Sequence, residues 1–167
     1  MKRVLLTGMS GTGKSSVIRE LAARGFKAID TDSDDWSVFA DADPPRPTGE
    51  PDWIWREDRM QRLLSDDDAE LLFVSGCKTN QSKFYPRFDH VILLSAPAAV
   101  IVGRLASRTG NPYGKDPDEV AEVLTFVDTV EPLLRRSATL EIDTSAPLEE
   151  VVEAVIAHVL PGGLSTR

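Results

Sequence analysis

Gly8-Met9-Ser10-Gly11-Thr12-Gly13-Lys14-Ser15 is the stretch on which the fold turns. Two glycines, Gly8 and Gly13, bracket a four-residue turn, and a lysine and a hydroxyl follow at once. Glycines let backbone N–H groups turn inward around an anion, and a helix opening behind them presents its positive end. In such a cradle Gly8, Ser10, Gly11, Thr12, Gly13 and Ser16 wrap the phosphates of ATP. Lys14 then reaches the β and γ phosphates, and the Ser15 hydroxyl suits Mg²⁺. The flanks agree. Val4-Leu5-Leu6 reads as a buried strand before the turn, and Val17, Ile18 and Leu21 mark one face of a helix from Ser15 to Arg24, closed by Gly25.

Outward from the cradle, apolar runs of strand length recur at Lys27-Ala28-Ile29, Leu71-Leu72-Phe73-Val74, Val91-Ile92-Leu93-Leu94 and Thr139-Leu140-Glu141-Ile142. Runs that are apolar throughout suit strands covered on both faces of a parallel sheet. Helical patterns fill the gaps at Ala98 to Arg108, Pro117 to Arg136 and Pro147 to Leu160. The expectation is an α/β chain, a single domain over residues 1–160 built as three layers, α/β/α, around a five-stranded parallel sheet. Pro44, Pro45, Pro47 and Pro51 make an irregular loop of Ala40 to Pro51, followed by a short helix from Trp53 to Leu64. Residues 33–65 would form a helical insert for an acceptor, residues 108–117 a short mobile lid, and residues 161–167 a disordered tail.

Composition narrows the classes. A formal net charge of −8 argues against nucleic acid or an anionic membrane as partner. One cysteine, Cys77, leaves no internal disulfide and no multi-cysteine metal site, which suits the cytoplasm. Cys77 has no histidine or second cysteine beside it and reads as an inert thiol, and His90 and His158 do not read as a metal pair. No apolar run reaches membrane length. Oligomeric state leaves no mark in the sequence.

The cradle matches the Walker A pattern, and the whole resembles the P-loop NTPase fold with a short lid. Neither an Asn-Lys-x-Asp guanine reader nor an acidic Walker B end to the third apolar run is present. The chain resembles the nucleoside-monophosphate, shikimate and gluconate kinase group over Val4 to Leu160. Ile29-Asp30-Thr31-Asp32 resembles the Asp-Thr-Asp signature of shikimate and gluconate kinases, and Trp55-Arg56-Glu57 resembles a substrate-binding helix. Arg104 to Asn111 looks like a segment with an adenine-flanking and a lid arginine. Where shikimate kinases carry a Gly-Gly-Gly turn, this chain has Ser75-Gly76-Cys77-Lys78, and Val130-Glu131 stands in place of their late-helix arginine. Arg135 and Arg136 follow one turn later.

The resemblance implies an ATP- and Mg²⁺-dependent kinase acting on a small acceptor that is anionic or hydroxyl-bearing. Asp30 and Asp32 alternate along one strand end, where ligands of parallel sheets sit. By the family pattern Asp30 joins Ser15 on the metal side and Asp32 faces the acceptor as base or anchor; a helix cap is the other use of such acids. Arg108, at the mouth of the lid, would stabilise charge on the transferring group, and Arg104, one turn earlier, would stack on adenine. Arg56 and Arg59, neighbours on one face, would pair with an anionic group of the acceptor, with Gly76 beside it. Trp53 and Trp55 are either an aromatic wall or core packing, and Lys78, Asn80 and Gln81 either acceptor contacts or loop residues. The rival readings are a broad nucleoside-monophosphate kinase and a non-catalytic ATP-binding regulatory protein.

Overall fold

The structure, a computed structural model, describes residues 1–43, 45 and 49–162. Pro44, Pro47 and residues 163–167 of the expected tail lie outside those residues. Five parallel strands form the central sheet: β1 (Lys2–Thr7), β2 (Lys27–Asp30), β5 (Leu71–Ser75), β6 (His90–Ser95) and β7 (Leu140–Asp143), in the order β2-β5-β1-β6-β7. Their residues alternate between two cores, as the pleat requires. Val4, Leu6, Leu71, Phe73, Ile92 and Leu94 pack on one face against helices α1 (Lys14–Ala23) and α6 (Leu148–Val159). Leu5, Leu72, Val74 and Val91 pack on the other against Trp55, Met60, Leu63 and Phe84. The three layers are those read from the sequence.

Two expected helices are corrected. Asp52-Trp53-Ile54-Trp55 is a strand, β4, pairing antiparallel with β3 (Ser37–Ala40), and only Glu57–Leu63 is helical, α2. Aromatic and β-branched side chains favour the pleat, and Phe39 stands opposite Trp53 with the ring centroids 4.8 Å apart. The expected helix from Pro117 to Arg136 is broken at Val130 into α4 (Pro117–Thr129) and α5 (Glu131–Ser137). Pro132 has no N–H and its ring would strike the preceding turn, so it sits in the first turn of a new helix. Helix α3 (Ala98–Ser107) ends at Arg108, and Thr79–Arg87 forms a 3₁₀ segment where the sequence suggested loop. Among the described residues, no helix is long and apolar enough to cross a membrane.

Candidate active site

The phosphate cradle joins β1 to α1 at the carboxyl edge of the sheet. Gly8 is obligatory there, because a Cβ on it would lie 2.2 Å from the Leu94 carbonyl oxygen. Thr12 is buried and donates to the Met9 carbonyl at 2.8 Å, closing the turn. Lys14 Nζ folds back onto the Gly8 and Met9 carbonyls at 2.7 and 2.9 Å. Burial pulls its ammonium below the ordinary lysine value, against the opposing fields of Cys77, Asp32 and Asp30.

The end of β2 is locked beside the cradle by Thr31. Its backbone N–H and its hydroxyl donate to the Ser75 carbonyl at 3.1 and 2.6 Å, and its hydroxyl accepts from Trp55 Nε1 at 2.7 Å. With Thr31 turned inward, Asp30 and Asp32 face the cradle. Asp30 Oδ2 accepts from the Ser15 hydroxyl at 2.8 Å, and Asp30 Oδ1 from the Asp32 N–H at 3.1 Å. Asp32 accepts from the ammonium of Lys78. Burial alone would raise the Asp32 carboxyl, but the Lys78 and Lys14 charges, with Arg108, outweigh it and hold it below the usual carboxylate range.

Arg104, on α3, and Arg108, at the start of the expected lid, close the opposite wall. Arg104 donates to the Thr144 hydroxyl at 2.8 Å and to the Gly11 carbonyl at 3.4 Å, tying α3 and the loop after β7 to the cradle. Arg108 donates to the Tyr113 carbonyl and, at 3.3 Å, to Ser10 Oγ, while its buried Nε has no partner among the described residues. Burial lowers its guanidinium from the ordinary arginine value, Asp32 opposes this, and arginine stays charged all the same.

Two cavities meet here. The first, of about 810 Å³, is lined by Ser10, Gly11, Gly13, Ser15, Ser16, Asp30, Arg104, Arg108 and Thr144, besides Lys14 and Asp32. The second, of about 910 Å³, runs under the β3–β4 hairpin past Phe39, Trp53, Cys77, Lys78 and Phe126. Lys14, Asp32 and Ser10 belong to the walls of both.

Not every expected residue lines these cavities. Arg56 Nε donates to the Asp34 carbonyl at 2.9 Å and Arg59 to the Asp35 carbonyl at 2.7 Å, so both guanidiniums brace that turn and neither is among the lining residues. Gly76 lies behind the wall, where a Cβ would come 2.4 Å from the Thr31 hydroxyl. Arg135 is held by Glu131 and Glu141 at 2.9 and 2.7 Å. Trp55 is core and Trp53 is wall, which divides the two readings of the tryptophans between them. Lys78 is another lining residue that the sequence left open: a lysine in a polar loop signals exposure, yet this one is buried, with Trp53 of the hairpin 5.7 Å from its ammonium.

Comparisons with known proteins point the same way. A family model described as an AAA domain (AAA_18) matches residues 4–125. Shikimate kinase of Mycobacterium bovis (strain BCG / Pasteur 1173P2) is 30% identical over 163 residues, covering 95% of this chain and 91% of its own. Shikimate kinase of Rhodopseudomonas palustris is 29% identical over 160 residues, covering 92% and 79%. Among solved structures, shikimate kinase from Acinetobacter baumannii in complex with shikimate matches with a TM-score of 0.64 at 19% identity, covering 99% and 96% of the two chains. A gluconokinase from Sinorhizobium meliloti 1021 matches with a TM-score of 0.62 at 21% identity, covering 96% and 92%. At such identities these two speak for the fold alone. The chain therefore belongs to the P-loop AAA-domain family and, with the shikimate kinases as its relatives, is an ATP-dependent small-molecule kinase.

Proposed function

We propose that the enzyme transfers the γ-phosphoryl group of ATP to a hydroxyl of a small molecule held in the cavity under the β3–β4 hairpin. The observation that carries this is the shared wall: Lys14 and Asp32 border both the nucleotide-side and the hairpin-side cavity. A phosphoryl group passing between the two would pass between them.

Phosphoryl transfer asks mainly for alignment and charge neutralisation. In this reading the cradle holds the phosphates, Arg104 borders the adenine side, and Lys14 and Arg108 offset charge on the equatorial oxygens. The unpartnered Nε of Arg108 supports that role, since a buried donor without an acceptor is costly. The segment over residues 108–117 would act as the lid that brings Arg108 in. Asp32 accepts a hydrogen bond from the acceptor hydroxyl. As the oxygen bonds to phosphorus and the bond to ADP breaks, the hydroxyl proton passes to Asp32. A carboxylate held ionised is a weak base, and it suits a loose transition state in which the proton leaves late.

Ser15 and Asp30 supply hard oxygens side by side, 2.8 Å apart, which fits Mg²⁺ better than any softer metal. Bound there, Mg²⁺ would neutralise charge on the β and γ phosphates. Arg56 and Arg59 would serve as struts of the 34–35 turn, and acceptor contacts would fall to Asp32, Lys78 and the hairpin.

The test is to identify the product. The enzyme is incubated with ATP and separately with shikimate, gluconate, quinate, myo-inositol and nucleoside monophosphates, and phosphorus NMR distinguishes a phosphomonoester from a nucleoside diphosphate. Formation of a phosphomonoester supports hydroxyl transfer. Nucleoside diphosphate as the sole acceptor product would instead make it a nucleoside-monophosphate kinase, and ADP release indifferent to every acceptor would make it a regulatory ATP binder.

A further inference from the structure

Lys78 stands apart from the other lysines. Its side chain is only 5% exposed, on the loop after β5, in the wall of the hairpin-side cavity. Its ammonium donates to Asp32 Oδ1 and lies 5.7 Å from the centre of the Trp53 ring. An ammonium carries three donors, and among the described residues only Asp32 accepts from this one. Two protons of a nearly buried cation thus have no acceptor among the described residues, a costly arrangement for an ion pair that served packing alone.

Asp32 mirrors this. Oδ1 accepts a hydrogen bond from the Lys78 ammonium, and no described side chain donates to Oδ2. Side by side, the pair offers an acceptor and a donor to whatever fills the space. That is the complement of two adjacent hydroxyls, one giving its proton and the other receiving one. The third side is aromatic: Phe39, 70% exposed, leans on Trp53 with the centroids 4.8 Å apart. Such faces take the C–H side of a ring while its hydroxyls turn to the polar wall.

We propose that Lys78 is an acceptor-binding residue that sets specificity for a ring bearing vicinal hydroxyls. Asp32 receives the hydrogen bond of the hydroxyl to be phosphorylated, Lys78 donates to the oxygen on the neighbouring carbon, and the ring lies against Trp53. The proposal rests on the hydroxyl-transfer reading above and deepens it, giving a definite role to a residue that the sequence left between acceptor contact and loop.

The experiment compares shikimate, quinate, myo-inositol and methyl α-D-glucopyranoside as acceptors. The best of them is then set against its deoxy analogue lacking the hydroxyl next to the phosphorylated carbon. For the wild type, loss of that hydroxyl should lower kcat/KM by about 10- to 100-fold, mainly through KM, the range for a hydrogen bond to a charged group. Lys78→Met should lose a similar factor with the parent polyol and no longer discriminate between the two compounds. Lys78→Arg should recover part of the preference, and neither variant should change affinity for a non-hydrolysable ATP analogue.

Undiminished preference in Lys78→Met overturns the inference and leaves hydroxyl transfer standing. Should Lys78→Met fail to fold, the wild-type ratio decides: no preference for the polyol over its deoxy analogue overturns the inference as well. A wild type that phosphorylates nucleoside monophosphates and no polyol overturns both readings.

Discussion

The Ser15 hydroxyl donates to Asp30 Oδ2 across 2.8 Å, joining the first turn of α1 to the end of β2. In the proposed reading, that link puts the Mg²⁺ side of the site on two residues 15 positions apart. Asp30→Asn keeps the size of the side chain and removes its charge. It should raise the Mg²⁺ needed for half-maximal activity by about 10- to 100-fold, with the rate largely regained at saturating Mg²⁺. A magnesium titration of wild type and variant checks this; identical curves would count against Asp30 on the metal side.

Lys14 rests on the Gly8 and Met9 carbonyls, and in the proposed transfer its ammonium would leave them for a phosphate. Lys14→Ala should lower kcat by about 10²- to 10³-fold, the usual loss for one preorganised donor on developing charge. Circular dichroism should show the same secondary structure, since both carbonyls that the ammonium touches belong to the cradle loop itself. Steady-state ADP release measures the effect.

Trp55 is fully buried, packs edge-on against Phe84 and donates to the Thr31 hydroxyl that positions Asp30 and Asp32. Trp55→Ala should cost about 3–5 kcal/mol of stability through the cavity it leaves. Trp55→Phe should cost less, chiefly the lost hydrogen bond at about 1 kcal/mol. Urea midpoints with an unchanged slope would report these differences. Equal costs for the two variants would mean that packing contributes little at this position.

Burial pushes the Cys77 thiol up, and the Lys14 charge beside it only partly offsets this. A raised pKa means less thiolate at any given pH, so iodoacetamide should react slowly near neutrality. The rate should still be climbing at a pH where a free cysteine has levelled off. Lys14→Ala removes the nearby cation and should slow the reaction further. A neutral-pH rate equal to that of free cysteine would contradict the raised pKa of this half-buried thiol.

How much of this was legible in the sequence depends on how local each signal is. The cradle and the five strands are written in contiguous residues, and the structure has them where the pattern puts them, although the edge strands β2 and β7 are only partly covered and not buried on both faces. Asp30 and Asp32 were readable as a pair because alternation at a strand end is local too. The hairpin was not, because β3 and β4 find each other across the proline-rich loop and Trp53-Ile54-Trp55 alone suits either state. Arg56 and Arg59 illustrate a different difficulty: a long side chain can reach in several directions, and theirs reach back to Asp34 and Asp35. Lys78 was visible only as polarity, since its burial comes from tertiary packing around the hairpin.

Asp32→Asn tests the central claim most directly. The variant is assayed with ATP and, side by side, with a hydroxyl acceptor that the wild type phosphorylates and with a nucleoside monophosphate. The account predicts a fall of about 10²- to 10⁴-fold for the hydroxyl acceptor, the range for a positioned general base. Any phosphate-to-phosphate transfer, which needs no proton removed, should be only weakened. Phosphorylation of the hydroxyl by Asp32→Asn at the wild-type rate would contradict the account.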